Sequence, residues 1–328
     1  MQLLSREDIN KVFSMKEAVE SVKQAFMLYS QNKVENPLRT NIHASKYEGN
    51  LLFMPTYAED TGCASLKIIN IYPENMKKNR PTSFAQVILI DAESGEIVSM
   101  LDGNYVTQLR TGAASGVCFD ILGRKDAKVG ALIGTGGQAQ TQLEAMLAVR
   151  DLDIVRVHDL SAERTESFVK MMREKLSGYD TEIVAAASAD SAVEDADLLI
   201  TVTPSKKPVF DATKCKAGLT ISCVGSYQLD MQEMDPQILA RASKIYFDSK
   251  AAVLEESGDI LIPLAEGIIT ENDITGEIGE VIAGKVIGRE NDEEIIVFET
   301  VGIGMQDLIT AKAIYEKAIA ANIGTEWK

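Results

Sequence analysis

The chain has 328 residues, 45% hydrophobic and 25% charged, with 49 acidic against 33 basic side chains and a net charge of −16. That length holds about two domains, each able to bury its own core. The negative charge opposes non-specific binding to nucleic acid or an anionic membrane, and no apolar run reaches the roughly 18 residues of a bilayer span.

The N-terminal segment, Met1 to Val19, carries acids early and has no apolar run ahead of a small-residue cleavage site. No secretory signal is read there, and a cytoplasmic location is expected. Over Ser14 to Tyr29, Met15, Val19, Val22, Phe26 and Tyr29 recur at steps of three and four, which predicts an amphipathic helix capped by Ser14 with Glu17 three residues on. From Leu51 to Met100 short β-branched runs separated by Gly, Pro, Asn and Asp predict a mostly antiparallel sheet. Thr107 to Leu122 then reads as a helix of small residues that connects two domains.

The segment Val129 to Ala139, VGALIGTGGQA, is an apolar strand that ends in Gly134-x-Gly136-x-x-Ala139 and enters a helical pattern. A diphosphate needs close backbone approach and the unpaired N–H groups of a helix start, so Gly134, Thr135, Gly136, Gly137, Gln138 and Ala139 are assigned to a dinucleotide. A second strand, Ile154 to His158, ends in Asp159, where a carboxylate can accept from the adenosine ribose hydroxyls. This favours NAD(H). NADP(H) is the alternative, because Arg156 and Arg164 lie near Asp159 in sequence and a guanidinium can meet a 2′-phosphate.

Beyond Asp159 the βα pattern repeats: a charged helix to Glu174, a strand at Thr181 to Ala186, a short helix near Ser191 to Ala196, and the strand Leu198 to Val202 running into Thr203. Strands at Leu219 to Val224 and Lys244 to Phe247 follow, and loops after parallel strands face ligands, so Val224, Gly225, Ser226 and Tyr227 are expected at the cofactor. A loop is read at 259 to 263 and a solvated acidic turn at Glu290 to Glu294. The last strand, Glu294 to Phe298, precedes a helix at Gln306 to Ala321 that is expected to rejoin the first domain. The fold class is thus α/β, a Rossmann-type doubly wound dinucleotide-binding domain over 119–305 plus an α+β substrate and dimerisation domain over 1–118 with 306–328.

Four cysteines, Cys63, Cys118, Cys215 and Cys223, form no CxxC pair and are expected as reduced thiols. With only His43 and His158 and no acidic ligand loop, no metal is expected.

Several segments together resemble the ornithine cyclodeaminase and μ-crystallin family, which has alanine dehydrogenase and ketimine reductase branches. They are Pro37-Leu38-Arg39-Thr40, Met54-Pro55, Lys67-Ile68-Ile69-Asn70, Arg80-Pro81-Thr82, Thr107-x-x-Arg110-Thr111, Val224-Gly225, Gln232 to Asp235, Glu256 to Asp259, and Gln306-Asp307. The resemblance implies a homodimer formed through the N-terminal sheets and a small imino or amino acid substrate held by its carboxylate on Arg39, Lys67 and Arg110. It also adds Thr111 to the cofactor contacts. A guanidinium grips a carboxylate bidentately and a lysine adds a point charge, so the chemistry agrees. Two family acids are replaced here, by Tyr227 and Leu52, which removes counter-charge for the distal amine of ornithine.

The leading expectation is therefore reduction of a cyclic ketimine acid such as Δ1-pyrroline-2-carboxylate, with Lys67 and Tyr227 as the candidate catalytic residues. An alanine dehydrogenase-like reaction, ornithine cyclodeamination and a non-enzymatic role in binding cofactor and ligand are the alternatives.

Overall fold

A computed structural model describes residues 1–328. The chain forms two compact units, Met1–Arg110 with Ile303–Lys328, and Thr111–Gly302. These seams depart from the expected 118/119 and 305/306. The helix Gly103–Leu122 runs unbroken through the first seam, so no turn residue marks it.

The first unit opens with β1 (Gln2–Leu4), α1 (Arg6–Val12) and α2 (Met15–Tyr29). Ser14 caps α2 as expected: its backbone N–H donates to Glu17 Oε2 at 2.8 Å, and its hydroxyl accepts from the Glu17 N–H. The strands β2 (Val34–Glu35), β3 (Thr40–Ala44), β4 (Gly49–Ala58), β5 (Cys63–Ile71), β6 (Ser83–Asp91) and β7 (Ile97–Asp102) follow. With the final strand Thr325–Glu326 they make a sheet in the order final strand, β1, β7, β6, β5, β4, β2, while β3 pairs with β4. All pairings except the parallel one of β1 with β7 are antiparallel.

Register sorts the side chains of this sheet into two faces. Leu52, Ile69 and Ala85 share one row, and Met54, Lys67, Val87 and Leu101 share the next on the same face. Met54, Lys67, Val87 and Leu101 are buried there, and the C-terminal helix Gly304–Ala320 packs on β4, β5 and β6. The opposite face carries Ile42, Leu51, Asn70 and Phe84 in one row, and Pro55, Leu66 and Ile88 in another. The helix α3 (Gly103–Leu122) then leads out of this unit.

The second unit alternates strands and helices. In chain order they are β8 (Val129–Ile133), α4 (Ala139–Val149), β9 (Ile154–His158), α5 (Ala162–Lys175), β10 (Glu182–Ala185), α6 (Ala189–Val193), β11 (Leu198–Thr201), β12 (Thr220–Cys223), α7 (Pro236–Arg241), β13 (Lys244–Phe247), α8 (Lys250–Glu256), α9 (Gly258–Ala265), β14 (Ile274–Glu277), α10 (Ile278–Ile282) and β15 (Ile296–Glu299). The strands form one wholly parallel sheet, ordered β10, β9, β8, β11, β12, β15, β13, β14. Chain order reverses between β8 and β11, the switch point at which such sheets hold ligands beyond their carboxyl ends. β11, β12 and β15 are buried along their whole length, because helices cover both faces of a parallel sheet.

Two local expectations are corrected. Residues 259 to 263 lie in α9 rather than a loop: Pro263 looks like a breaker in sequence, yet it is accommodated inside the helix and buried. The Glu290 to Glu294 turn is not simply solvated, since Glu294 is buried, accepts from the Glu290 N–H at 2.8 Å and pairs with Lys244 at 3.0 Å. No helix is long and apolar enough to cross a membrane.

Candidate active site

In the second unit the turn after β8 has the form a diphosphate requires. Gly134 has φ of 107°, a left-handed conformation, and a Cβ there would stand 2.6 Å from the Val202 carbonyl. Gly136 faces open space, with no neighbouring atom within 4 Å of where a Cβ would stand, so a ligand can approach the backbone. Ala139 is fully buried where α4 begins. The unpaired N–H groups of that first turn suit an anion, and Gln138 adds a buried Oε1 without a protein partner. These residues fit a dinucleotide.

Asp159 lies at the end of β9 and is tied to the same turn. Its Oδ2 accepts from the Thr135 N–H at 3.1 Å and the Thr135 hydroxyl at 2.8 Å, while its Oδ1 accepts from the Ser161 N–H and pairs with Arg164. Partial burial opposes ionisation, but these hydrogen bonds prevail and hold the carboxyl below its usual range. Of the two arginines weighed for a 2′-phosphate, Arg164 stands at the acid and is largely exposed. Arg156 is committed elsewhere, donating to the Glu194 carbonyl.

The turns after β11 and β12 are joined by a residue that sequence reasoning missed. Glu233 accepts from the Thr203 N–H at 2.5 Å through Oε1 and from the Gly225 N–H at 2.6 Å through Oε2. A side chain on Gly225 would collide with the Thr203 carbonyl and with Glu233 itself. Val224, Gly225 and Ser226 are buried, and half-buried Tyr227 begins an exposed stretch through Asp230. Thr111, the other expected cofactor contact, is buried on α3, and its carbonyl accepts from Gln142 at 3.1 Å.

In the first unit Lys67 and Arg110 converge on Asp307. Lys67 Nζ stands 2.6 Å from Asp307 Oδ2, and Arg110 Nε stands 3.2 Å from Oδ1. Lys67 and Asp307 are each 1% exposed. Arg110 also reaches Gln306 Oε1 at 3.5 Å, and that oxygen accepts from the Ile303 N–H at 2.9 Å. Arg39, half-buried between β2 and β3, adds its positive field to Lys67. Burial above all, and then the Arg110 charge, lower Lys67 from the ordinary lysine value to about 7, although Asp307 pulls the other way. Two cationic side chains, Lys67 and Arg110, thus converge on a single buried carboxylate.

Asp307 was absent from the expected site. It lies in the first turn of the C-terminal helix, where the helix dipole favours an anion. An acid placed among the apolar positions of Gly304 to Ile314 was the available signal, since an unpaired carboxylate would not be buried there.

Fold and site define a Rossmann-type dinucleotide-binding protein that also carries a buried cationic clamp. The chain belongs to the ornithine cyclodeaminase/mu-crystallin family, which it matches over residues 1–322. Among curated relatives, a Delta(1)-pyrroline-2-carboxylate reductase of Bacillus cereus is 36% identical over 324 residues, covering 99% of this chain and 98% of the relative. Among solved structures, Thermococcus litoralis Delta(1)-pyrroline-2-carboxylate reductase in complex with NADH and L-proline is 41% identical with a TM-score of 0.94, covering 100% of both chains. An archaeal alanine dehydrogenase dimer with bound NAD is 35% identical with a TM-score of 0.91, covering 100% of this chain and 99% of that one.

Proposed function

We propose that this protein is an NAD(H)-dependent reductase of small cyclic ketimine acids, with Δ1-pyrroline-2-carboxylate as substrate and proline as product. The observation that carries this reading is Lys67, a fully buried amine paired with the Asp307 carboxylate that it shares with Arg110, and able to part with a proton near neutral pH. Full-length similarity to reductases of that imino acid supports the substrate.

Arg110 and Arg39 hold the substrate carboxylate, Arg110 by the planar fork of a guanidinium. When bound on the turns at 134–139, 203 and 224–226, with Thr111 as a further contact, NADH supplies the hydride that the imine carbon accepts. Lys67 delivers the proton that the nitrogen takes up, and Asp307 fixes the direction of its N–H bonds. Lys67 then regains a proton from solvent, so NADH, one proton and the imine become NAD+ and the amine. General-acid assistance of this kind contributes about a hundredfold or more.

Tyr227 forms an aromatic wall, and Leu52 is buried in the sheet, so neither position offers a carboxylate to the distal ammonium of ornithine. Asp159 sets the preference for NADH, while exposed Arg164 gives NADPH a weaker foothold.

The second copy of a homodimer covers the outer face of the first unit's sheet. Leu38, Ile42, Tyr57 and Phe84 are exposed on this unit, and a cavity of about 740 Å³ is lined there by Val34, Pro37, Pro55, Tyr57, Leu66 and Ile90. The four thiols are unpaired, which suits a reducing compartment such as the cytoplasm.

The test follows NADH absorbance with Δ1-pyrroline-2-carboxylate, in parallel with ammonia release from ornithine at trace NAD. Rapid NADH loss with no ammonia is expected. Ammonia release without net NADH loss would replace this reading with cyclodeamination, and NADH production from alanine would replace it with a dehydrogenase.

A further inference from the structure

Among the carboxylates buried in the second unit, three are linked in one network that the reduction chemistry does not use. Glu233, Asp259 and Glu299 are each at most 1% exposed, and no lysine or arginine pairs with them. Their hydrogen bonds are unequal. Both oxygens of Glu233 accept backbone N–H groups, from Thr203 and Gly225. Asp259 Oδ1 accepts two more, from Glu233 at 2.7 Å and Met234 at 2.9 Å. Glu299 Oε1 accepts only the Ser257 hydroxyl at 2.8 Å. Asp259 Oδ2 and Glu299 Oε2 have no partner at all.

Three unscreened carboxylates cannot all be ionised in so small a buried volume, and each orphaned oxygen would carry its full desolvation cost. The acceptor pattern decides where the proton goes. Glu233 is committed on both oxygens as an anion, whereas Glu299 has one oxygen free to carry hydrogen.

We propose that Glu233 is the positioning residue that locks the cofactor-facing turns after β11 and β12 together, and that a proton retained by Glu299 preserves its charge. A network of Ser226 and Ser257 links the parts. Ser257 Oγ donates to Glu299 and lies 3.2 Å from Ser226 Oγ, and Ser226 Oγ accepts from the Asp259 N–H at 3.1 Å.

Burial is the main force pushing up all three carboxyls, and the backbone N–H groups of Thr203 and Gly225 pull Glu233 back toward its ionised form. The other titratable groups in this surrounding are Asp248, whose charge acts on Glu299, and the buried thiol of Cys223. Neither supplies a compensating cation. Acid groups raised on folding bind protons that the unfolded chain has released, so the cluster's contribution to stability falls as pH rises above the ordinary carboxylate range.

This rests on the reading of Thr203 and residues 224–226 as cofactor contacts, so one measurement is made without cofactor. In the NADH-free protein, Glu233→Gln should speed amide hydrogen exchange at Thr203 and Gly225 by about tenfold, because one N–H then faces an amide donor. Unchanged exchange at both amides overturns the proposal, whatever NADH does. With those amides affected, the NADH Kd should also rise about tenfold; a Kd that stays put overturns the cofactor reading of these turns and leaves the lock intact.

Glu299→Gln replaces a neutral acid by a neutral amide of the same shape. It should leave NADH affinity within about twofold of wild type and remove the weakening of NADH binding at alkaline pH, and its Tm advantage should grow from pH 5 to pH 9. Affinity lost at all pH values, or an unaltered pH profile in a folded variant, would show Glu299 to be ionised and overturn the retained proton. This arm decides the question even if the Glu233 variant does not fold.

Discussion

Replacing Asp307 by Asn isolates the group that sets Lys67. The change keeps shape and removes the only carboxylate within 4 Å of Lys67 Nζ and Arg110 Nε in the buried clamp. Lys67 titrates near 7 in the folded protein, against about 10.4 in the unfolded chain. Between those values the unfolded chain binds the extra proton, so this group's contribution to stability rises with pH across the window. Without Asp307 the folded value falls further and the window widens downward. The additional loss from Lys67 is on the order of 1 kcal/mol at pH 6 and close to nothing at pH 8, by the linkage relation with Lys67 fully neutral in the variant. Losing the charge-assisted hydrogen bond from Arg110 adds about 1.5–3 kcal/mol. Denaturant unfolding at the two pH values measures the difference. The companion assay is the pH profile of kcat/KM for ketimine reduction, which reports ionisations of the free enzyme. Wild type should lose activity as pH rises through about 7, and the variant should show that limb displaced downward by about one pH unit or more. An alkaline limb that stays in place in a folded Asp307→Asn protein would refute Lys67 as the proton donor.

Further variants probe the other parts. Arg110→Ala should raise KM for the ketimine acid by about tenfold or more and lower kcat while leaving the NADH Kd nearly unchanged; an equal loss of NADH binding would make Arg110 a cofactor ligand. Asp159→Ser should weaken NADH binding by about tenfold and NADPH binding much less, as read by fluorescence titration of both nucleotides. Gly225→Ala, which drives a methyl group into the Thr203 carbonyl and Glu233, should cost about 1–3 kcal/mol in thermal unfolding. Phe84→Asp, on the exposed sheet face, should shift the particle mass in light scattering from dimer to monomer, and an unshifted mass would remove that face from the interface.

Much of this protein is written locally in its sequence. The Gly134 turn, the strand that ends at Asp159 and the capped helix after Ser14 each depend on residues close together in the chain, where backbone conformation and periodicity act. The cationic residues were legible too, as Arg39, Lys67 and Arg110 within their motifs. What could not be read was the partner of each. Asp307 is 240 residues from Lys67, and Glu299 is 42 from Ser257. A carboxylate has no periodicity that announces whom it will meet, and the same residue type that is solvated in one setting is buried and paired in another. The domain seam inside α3 escaped for a related reason, because a helix that continues from one unit into the next leaves no break in its pattern. Local pattern was therefore enough for the class of fold and the glycine turn after β8, while Lys67 and Arg110 stood out through the family resemblance. It took the folded chain to set Asp307 against Lys67 and to tie two turns together through Glu233, since burial and the meeting of distant charges exist only after folding.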